Sequence, residues 1–134
     1  MRPGDALPEQ AVVADAQSMR VLTLIMHDPN PIHYDASAVQ AVGLGERPIN
    51  QGTLNMAYAL NAVAAAAGGV QRVRKFRCRF LGSVFEGDEV VAGGRVTEVL
   101  DGGGTGTAAA QCAVWVDGPG AKRVVEGTAI VEIG

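Results

Sequence analysis

The segment Asp28-Pro29-Asn30-Pro31-Ile32-His33 sets a carboxylate and an imidazole five residues apart on backbone stiffened by two prolines. Each proline fixes its own φ and biases the residue before it toward extended backbone, which argues against one uninterrupted helix. Asn30 is suited to an N-cap, with Pro31 at the first helical position. His33 then falls in the first turn of a short helix and Asp28 just before it, so acid and base can reach one small volume. Such a pair is the minimum equipment for moving protons by general acid–base catalysis. A plain turn with an N-terminal acid and a hydrogen-bonded histidine would use the same residues, so the flanking segments must decide. A metal site built from His27, Asp28, His33 and Asp35 would need a distant partner. The chain has two histidines in all, and no metal is expected.

The elements that must hold this pair can be read along the chain. Met1 to Ala16 reads as an irregular lead-in, and Arg20 to Met26, apolar and β-branched, as a strand. A short helix follows over about Pro31 to Val42, with an apolar stripe of Ile32, Ala36, Val39 and Val42, and Gly43 as its stop. Thr53 to Ala67 carries no charged residue and is bracketed by Gly52 and Gly68-Gly69. It reads as a helix of good helix formers, apolar almost all round and therefore enclosed. Strands follow. Phe76, Cys78 and Phe80 alternate with Lys75, Arg77 and Arg79, and Glu89–Val99, Thr107–Val116 and Arg123–Ile133 complete the set. Their turns are Gly87-Asp88, Asp101-Gly102-Gly103-Gly104 and Gly118-Pro119-Gly120. Four strands after one enclosed helix predict an antiparallel meander curved around that helix, an α+β fold with a short helical insert before the central helix.

Composition narrows the function classes. The 134 residues are most simply one domain, 48% are apolar and the net charge is −3, which excludes disorder and argues against a nucleic-acid surface. Cys78 and Cys112 lack metal-ligand spacing and read as buried thiols in a reducing cytoplasm. The N-terminus has no apolar signal region. Gln51–Val70, within the longest uncharged run, is a poor membrane span. Arg72, Arg74, Lys75, Arg77 and Arg79 could meet phosphate groups or simply form a solvated sheet face, and no site is assigned to them.

Three stretches carry a family resemblance. Asp28-Pro29-Asn30-Pro31-Ile32-His33-Tyr34-Asp35 resembles the D-x-N-P-x-H-x-D signature of the MaoC-like (R)-specific enoyl-CoA hydratases and 3-hydroxyacyl dehydratases, which have the hot-dog fold. Glu46-Arg47-Pro48-Ile49-Asn50-Gln51-Gly52 resembles E-R-P-I-x-H-G at the start of that fold's central helix. Arg79-Phe80-Leu81-Gly82-Ser83-Val84-Phe85-Glu86-Gly87-Asp88 resembles R-F-x-x-P-V-x-x-G-D. The resemblance implies reversible syn hydration of a trans-2-enoyl thioester. Asp28 and His33 would activate the water that attacks C3 and return a proton to C2. Asn30 and Gly52 would serve the substrate, Asn30 by bracing the loop and Gly52 by offering its backbone N–H to the thioester oxygen. A helix N-terminus suits the negative charge that develops there. No cofactor is implied, because the acyl-CoA or acyl-carrier thioester is itself the substrate. Gln51 stands where the pattern has His, Asn50 replaces an aliphatic residue, Thr53 a Met and Ser83 a Pro. These departures touch the substrate pocket and leave the acid, the imidazole and the amide donor in place.

Two other functions fit a hot-dog fold. A thioesterase of this fold resembles those with an Asp or Glu on or near the central helix, and Gly52–Val70 has no carboxylate. A non-catalytic subunit of a heteromeric dehydratase is expected to lose the acid–His pair, which this chain keeps. A lone sheet leaves an edge and a face to protect, so a homodimer with sheets joined edge to edge is expected, with a higher homo-oligomer or a heterodimer as alternatives. An acyl channel is expected beside the central helix, near Ala57, Ala59 and Ala62.

Overall fold

The computed structural model describes residues 1–101 and 106–134. Strand β1 (Ala6–Val13) leads into α1 (Ala16–Met26), a single 3-10 turn (Pro31–His33), α2 (Ala36–Ala41) and the central helix α3 (Gly52–Ala67). Strands β2 (Val73–Phe80), β3 (Glu89–Leu100), β4 (Ala109–Asp117) and β5 (Arg123–Glu132) follow. All pairings are antiparallel, in the order β1-β3-β4-β5-β2. One sheet curves around α3, as the family resemblance implies.

Alternation drives that wrapping. In β4 the residues Ala110, Cys112, Val114 and Val116 are buried and their neighbours are half-exposed. The buried face of α3, namely Asn55, Tyr58, Ala59, Ala62 and Val63, lies on the concave side of the sheet. Ala59 and Ala62 are fully buried against it. They let helix and sheet approach closely, so the acyl channel expected beside them is filled by packing. Sheet curvature also brings backbones together at Gly127, opposite Cys78 on β2. A Cβ there would lie 1.9 Å from the Arg77 carbonyl oxygen. Both cysteines are free, and burial pushes both thiols up from their ordinary value.

Several expectations are corrected. The lead-in contains β1, whose partly exposed edge tolerates Pro8 at a bulge between Leu7 and Gln10. Arg20–Met26 belongs to helix α1, not to a strand. Asp15 caps that helix through Ser18, whose hydrogen bonds hold the Asp15 carboxyl below its ordinary value of 3.8. This depressed group stabilises the fold above its unfolded-state pKa and loses that contribution as pH falls through the folded value. The helix expected over Pro31–Val42 is two pieces separated at Tyr34 and Asp35, and of its stripe only Val39 is buried. The four C-terminal strands are not a sequential meander. β3, β4 and β5 run consecutively, but β2 pairs with β5, because Leu81–Asp88 crosses to the far side before β3 begins. The third strand starts at Ala109 rather than Thr107. Of the turn expected at Asp101–Gly104, Gly102–Gly104 lie outside the described residues. Finally, α3 is enclosed on one side only, with Thr53, Asn61 and Ala65 exposed in the single chain.

Gly127→Ala should lower unfolding stability by on the order of 3 kcal/mol, the scale of a forced overpacking in a rigid core. Urea denaturation followed by circular dichroism would measure it.

Candidate active site

Helix α1 delivers Asp28. It ends at His27, which takes left-handed backbone (φ 52°, ψ 37°), and the next amide, that of Asp28, donates back to the Thr23 carbonyl (3.1 Å). The Asp28 carboxylate then organises the turn ahead of it, with Oδ1 accepting from the Asn30 N–H (3.1 Å). Asn30 is the N-cap, as its type and the following Pro31 predict, and its Oδ1 accepts from the Ile32 N–H (3.3 Å). The Tyr34 hydroxyl closes the loop by donating to the Pro29 carbonyl (3.2 Å). This series of local bonds leaves Asp28 Oδ2 3.4 Å from His33 Nε2, with side-chain exposures of 41% and 12%.

The other ring nitrogen of His33 is held by the segment before α3. Nδ1 lies 2.7 Å from the Ile49 carbonyl oxygen. A carbonyl can only accept, so Nδ1 carries the hydrogen and donates it. In the neutral ring, Nε2 is then the basic nitrogen, and it faces the carboxylate. Two acceptors this close are satisfied together by one water bridging both from the side, or by a proton on Nε2.

Ile49 can do this because its own position is set from both sides. Its N–H donates to the Ile32 carbonyl (2.8 Å), and it forms an antiparallel bridge with Phe85. Asn50 N–H donates to Val84 O (2.7 Å) and Glu86 N–H to Pro48 O (2.9 Å). Arg47 donates to Asp88 Oδ1 (2.9 Å) and to the Glu86 carbonyl (2.8 Å), while Asp88 Oδ2 accepts from the Phe85 N–H (3.0 Å). The Glu46–Gly52 and Arg79–Asp88 stretches, separate in sequence, are thus paired side by side, and their product is a fixed Ile49 carbonyl.

Gly52 opens α3. The N-cap Gln51 makes no side-chain hydrogen bond to its own helix. The first bonds back to the Gln51 carbonyl come from Leu54 (3.0 Å) and Asn55 (3.2 Å), so the Gly52 and Thr53 amides have no partner within the helix. Asp28, His33, Gln51 and Gly52 line one cleft of about 340 Å³, with Leu22, Met26, Thr53 and Phe80 as its other walls. Phe80, 53% exposed, closes one side. A Cβ on Gly52 would touch its ring at 3.4 Å.

Three of the four expected site residues therefore share a cleft. Asn30 is exposed and does not line it, its amide oxygen being engaged in the turn. The apolar walls Leu22 and Met26 escape a sequence reading that makes their segment a strand. Gln51 is also more than a departure from a pattern. It is buried, and its Nε2 donates to the Met19 carbonyl (2.8 Å) and the Thr23 hydroxyl (3.1 Å). Asn50 Nδ2 donates to Asn55 Oδ1 (2.8 Å) and the Tyr58 hydroxyl (3.1 Å) in a buried polar cluster under α3, where burial pushes the Tyr58 phenol up. Asn55 is thus partnered by Asn50, whereas Asn61 is exposed. Trp115 lies half-buried on the sheet's outer face, under the Arg123 guanidinium at 4.6 Å. On that face Arg74 pairs with Glu132 and Arg79 with Glu126. Among the described residues no three His, Cys, Asp or Glu side chains converge as a metal site would require. No helix among them is long and apolar enough to cross a membrane.

A curved five-stranded sheet wrapped on one helix defines the hot-dog fold class. The family model described as MaoC like domain matches residues 3–116, and the chain belongs to the MaoC-like family. Its structure is similar to that of an (R)-hydratase from A. caviae involved in PHA biosynthesis, with TM-score 0.86, 23% identity and coverage of 100% of this chain and 98% of that one. It is similar also to the R-hydratase PhaJ1 from Pseudomonas aeruginosa (TM-score 0.85, 23% identity, coverage 98% and 81%). A third likeness is to a chain of the ChsH1–ChsH2 complex from Mycobacterium tuberculosis (TM-score 0.81, 20% identity, coverage 98% and 98%). At these identities the likeness is one of fold. No curated protein sequence matches the chain significantly.

The pairing of the two stretches gives a stability prediction. Asp88, with a side chain 10% exposed, holds both Arg47 and the Phe85 amide. Asp88→Ala should cost on the order of 1–3 kcal/mol by leaving a part-buried donor unmet. Arg47→Ala, on the half-exposed side of the pair, should cost less than about 1 kcal/mol. Denaturant titration of the two variants would measure both.

Proposed function

We propose that this chain catalyses the reversible syn addition of water to a trans-2-enoyl thioester, giving the (R)-3-hydroxyacyl thioester. The observation that carries this reading is that the Asp28–His33 pair and the Gly52 amide, which has no partner within its own helix, line one cleft. A water bridging Asp28 Oδ2 and His33 Nε2 from the cleft side gives a hydrogen to each and keeps an oxygen lone pair for C3. As the C3–O bond forms, the π electrons move through C2 to the thioester oxygen, and the Gly52 N–H meets the developing charge. The proton taken from water by the pair is returned to C2 from the same side, so water is added whole and syn. Dehydration runs the same steps backward.

Family membership supports hydro-lyase chemistry at the level of class, and the geometry supports these residue roles. Asn30 contributes by bracing the turn that holds Asp28, one step from the substrate. Leu22, Met26 and Phe80 supply apolar walls for the acyl or thioester portion. The substrate is an acyl-CoA or acyl-carrier thioester and the reaction uses no cofactor or metal. We assign the protein to the cytoplasm and to a homodimer or higher homo-oligomer with sheets joined edge to edge. The ends of the sheet order, β1 and β2, support that arrangement. The likeness to a chain from a ChsH1–ChsH2 complex keeps a heterodimer in view.

The test follows the loss of enoyl absorbance with crotonyl-CoA and longer enoyl-CoAs, with chiral analysis of the product. Asp28→Asn and His33→Ala should each lower kcat by roughly 10²–10⁴, the range of a positioned acid or base. Well-folded Asp28→Asn with unchanged turnover would remove the mechanism. Gly52→Ala should separate stability from activity. Alanine favours helix over glycine, so thermal stability should hold or rise. The added methyl narrows the gap to Phe80 where the thioester oxygen must sit, so kcat/KM should fall roughly tenfold or more.

A further inference from the structure

We infer that Gln51 is a positioning residue that ties the helix carrying Asp28 to the helix carrying Gly52, and so sets the separation of the two halves of the centre. The inference rests on the proposed roles of Asp28 and Gly52 in that centre. Gln51 is 5% exposed, and both hydrogens of its Nε2 go to one turn of α1, to Met19 O and Thr23 Oγ1. The Thr23 hydroxyl donates in turn to Met19 O (3.0 Å), which completes a closed set of three bonds. Thr23 is also the residue whose carbonyl receives the Asp28 amide. One residue of α1 is therefore gripped by Gln51 through its side chain and grips Asp28 through its backbone.

Little else restrains α1. Met19 is its one buried residue, while Val21, Leu24, Ile25 and Met26 are exposed. Gln51 Oε1 is buried with no hydrogen-bond partner among the described residues, so satisfaction of the acceptor does not account for the side chain's placement. The two donor bonds to α1 do. The same placement keeps the Gln51 side chain away from the first-turn amides of α3. A Ser, Thr or Asp cap would occupy one of those amides. Gln51 thus holds the acid side of the cleft and leaves the amide side open.

The experiment uses Gln51→Met, which keeps the length and volume of the side chain but removes both donors, and Thr23→Val, which removes the hydroxyl at nearly constant volume. Each should lower kcat roughly ten- to hundredfold with KM changed less than about threefold, the signature of misplaced reacting groups rather than lost binding. The double variant should be no worse than the worse single one, because both remove one connection. Hydrogen–deuterium exchange should quicken over residues 23–34 and stay unchanged in β3, β4 and β5. Unchanged kcat and unchanged exchange in Gln51→Met would overturn the inference. So would faster exchange throughout the chain with kcat and KM altered together, which marks general destabilisation. If the wild type turns over no enoyl thioester, the proposed reaction fails and exchange alone decides the tether: faster over 23–34 upholds it, unchanged rejects it.

Discussion

The hydrogen bond from His33 Nδ1 to the Ile49 carbonyl, 2.7 Å long, is the constraint on which the site depends. It fixes the tautomer, turns the basic nitrogen toward Asp28 and holds the 3-10 turn against the segment that becomes the central helix. Hydrogen bonding cannot be spared at such a position, because a buried carbonyl needs a donor and the imidazole needs a defined orientation. Ile49 meets both needs with one backbone oxygen, and its N–H reaches Ile32 in the same turn. Acid, base and helix N-terminus are therefore coupled through two residues of main chain.

The curved sheet explains why that coupling is rigid. Leu81–Asp88 must travel from β2 on one flank to β3 on the other, and it passes the start of α3 on the way. The Arg47–Asp88 pair and the Pro48–Asn50 bonds to Val84 and Glu86 fasten the crossing chain there. A connection that topology requires thus doubles as the wall that supports the turn carrying Asp28 and His33. The site sits at a helix N-terminus whose first amides have no partner within the helix, where charge on an oxyanion is favoured.

Much of this was legible in the sequence, for identifiable reasons. Asn30 and Pro31 encode the turn locally, and the charge-free run after Gly52 encodes the helix that the sheet must cover. Other features depend on tertiary context. Asp15 and Ser18 cap the helix, whereas the strand reading of Arg20–Met26 rests on its β-branched residues alone. β1 carries a proline and weak alternation, and it is a strand because β3 offers it an edge. The pairing of β2 with β5 is a property of the crossover, which no local pattern records. Gln51 was visible as a departure from a motif. Its bonds to Met19 and Thr23 exist only because Ala16–Met26 is a helix.

The most direct measurement is a crystal structure with a bound (R)-3-hydroxyacyl thioester. The account predicts the 3-hydroxyl oxygen within about 3 Å of both Asp28 Oδ2 and His33 Nε2, and the thioester oxygen at a similar distance from the Gly52 amide nitrogen. A thioester bound with its oxygen away from the start of α3, or with C3 out of reach of the Asp28–His33 pair, would contradict it.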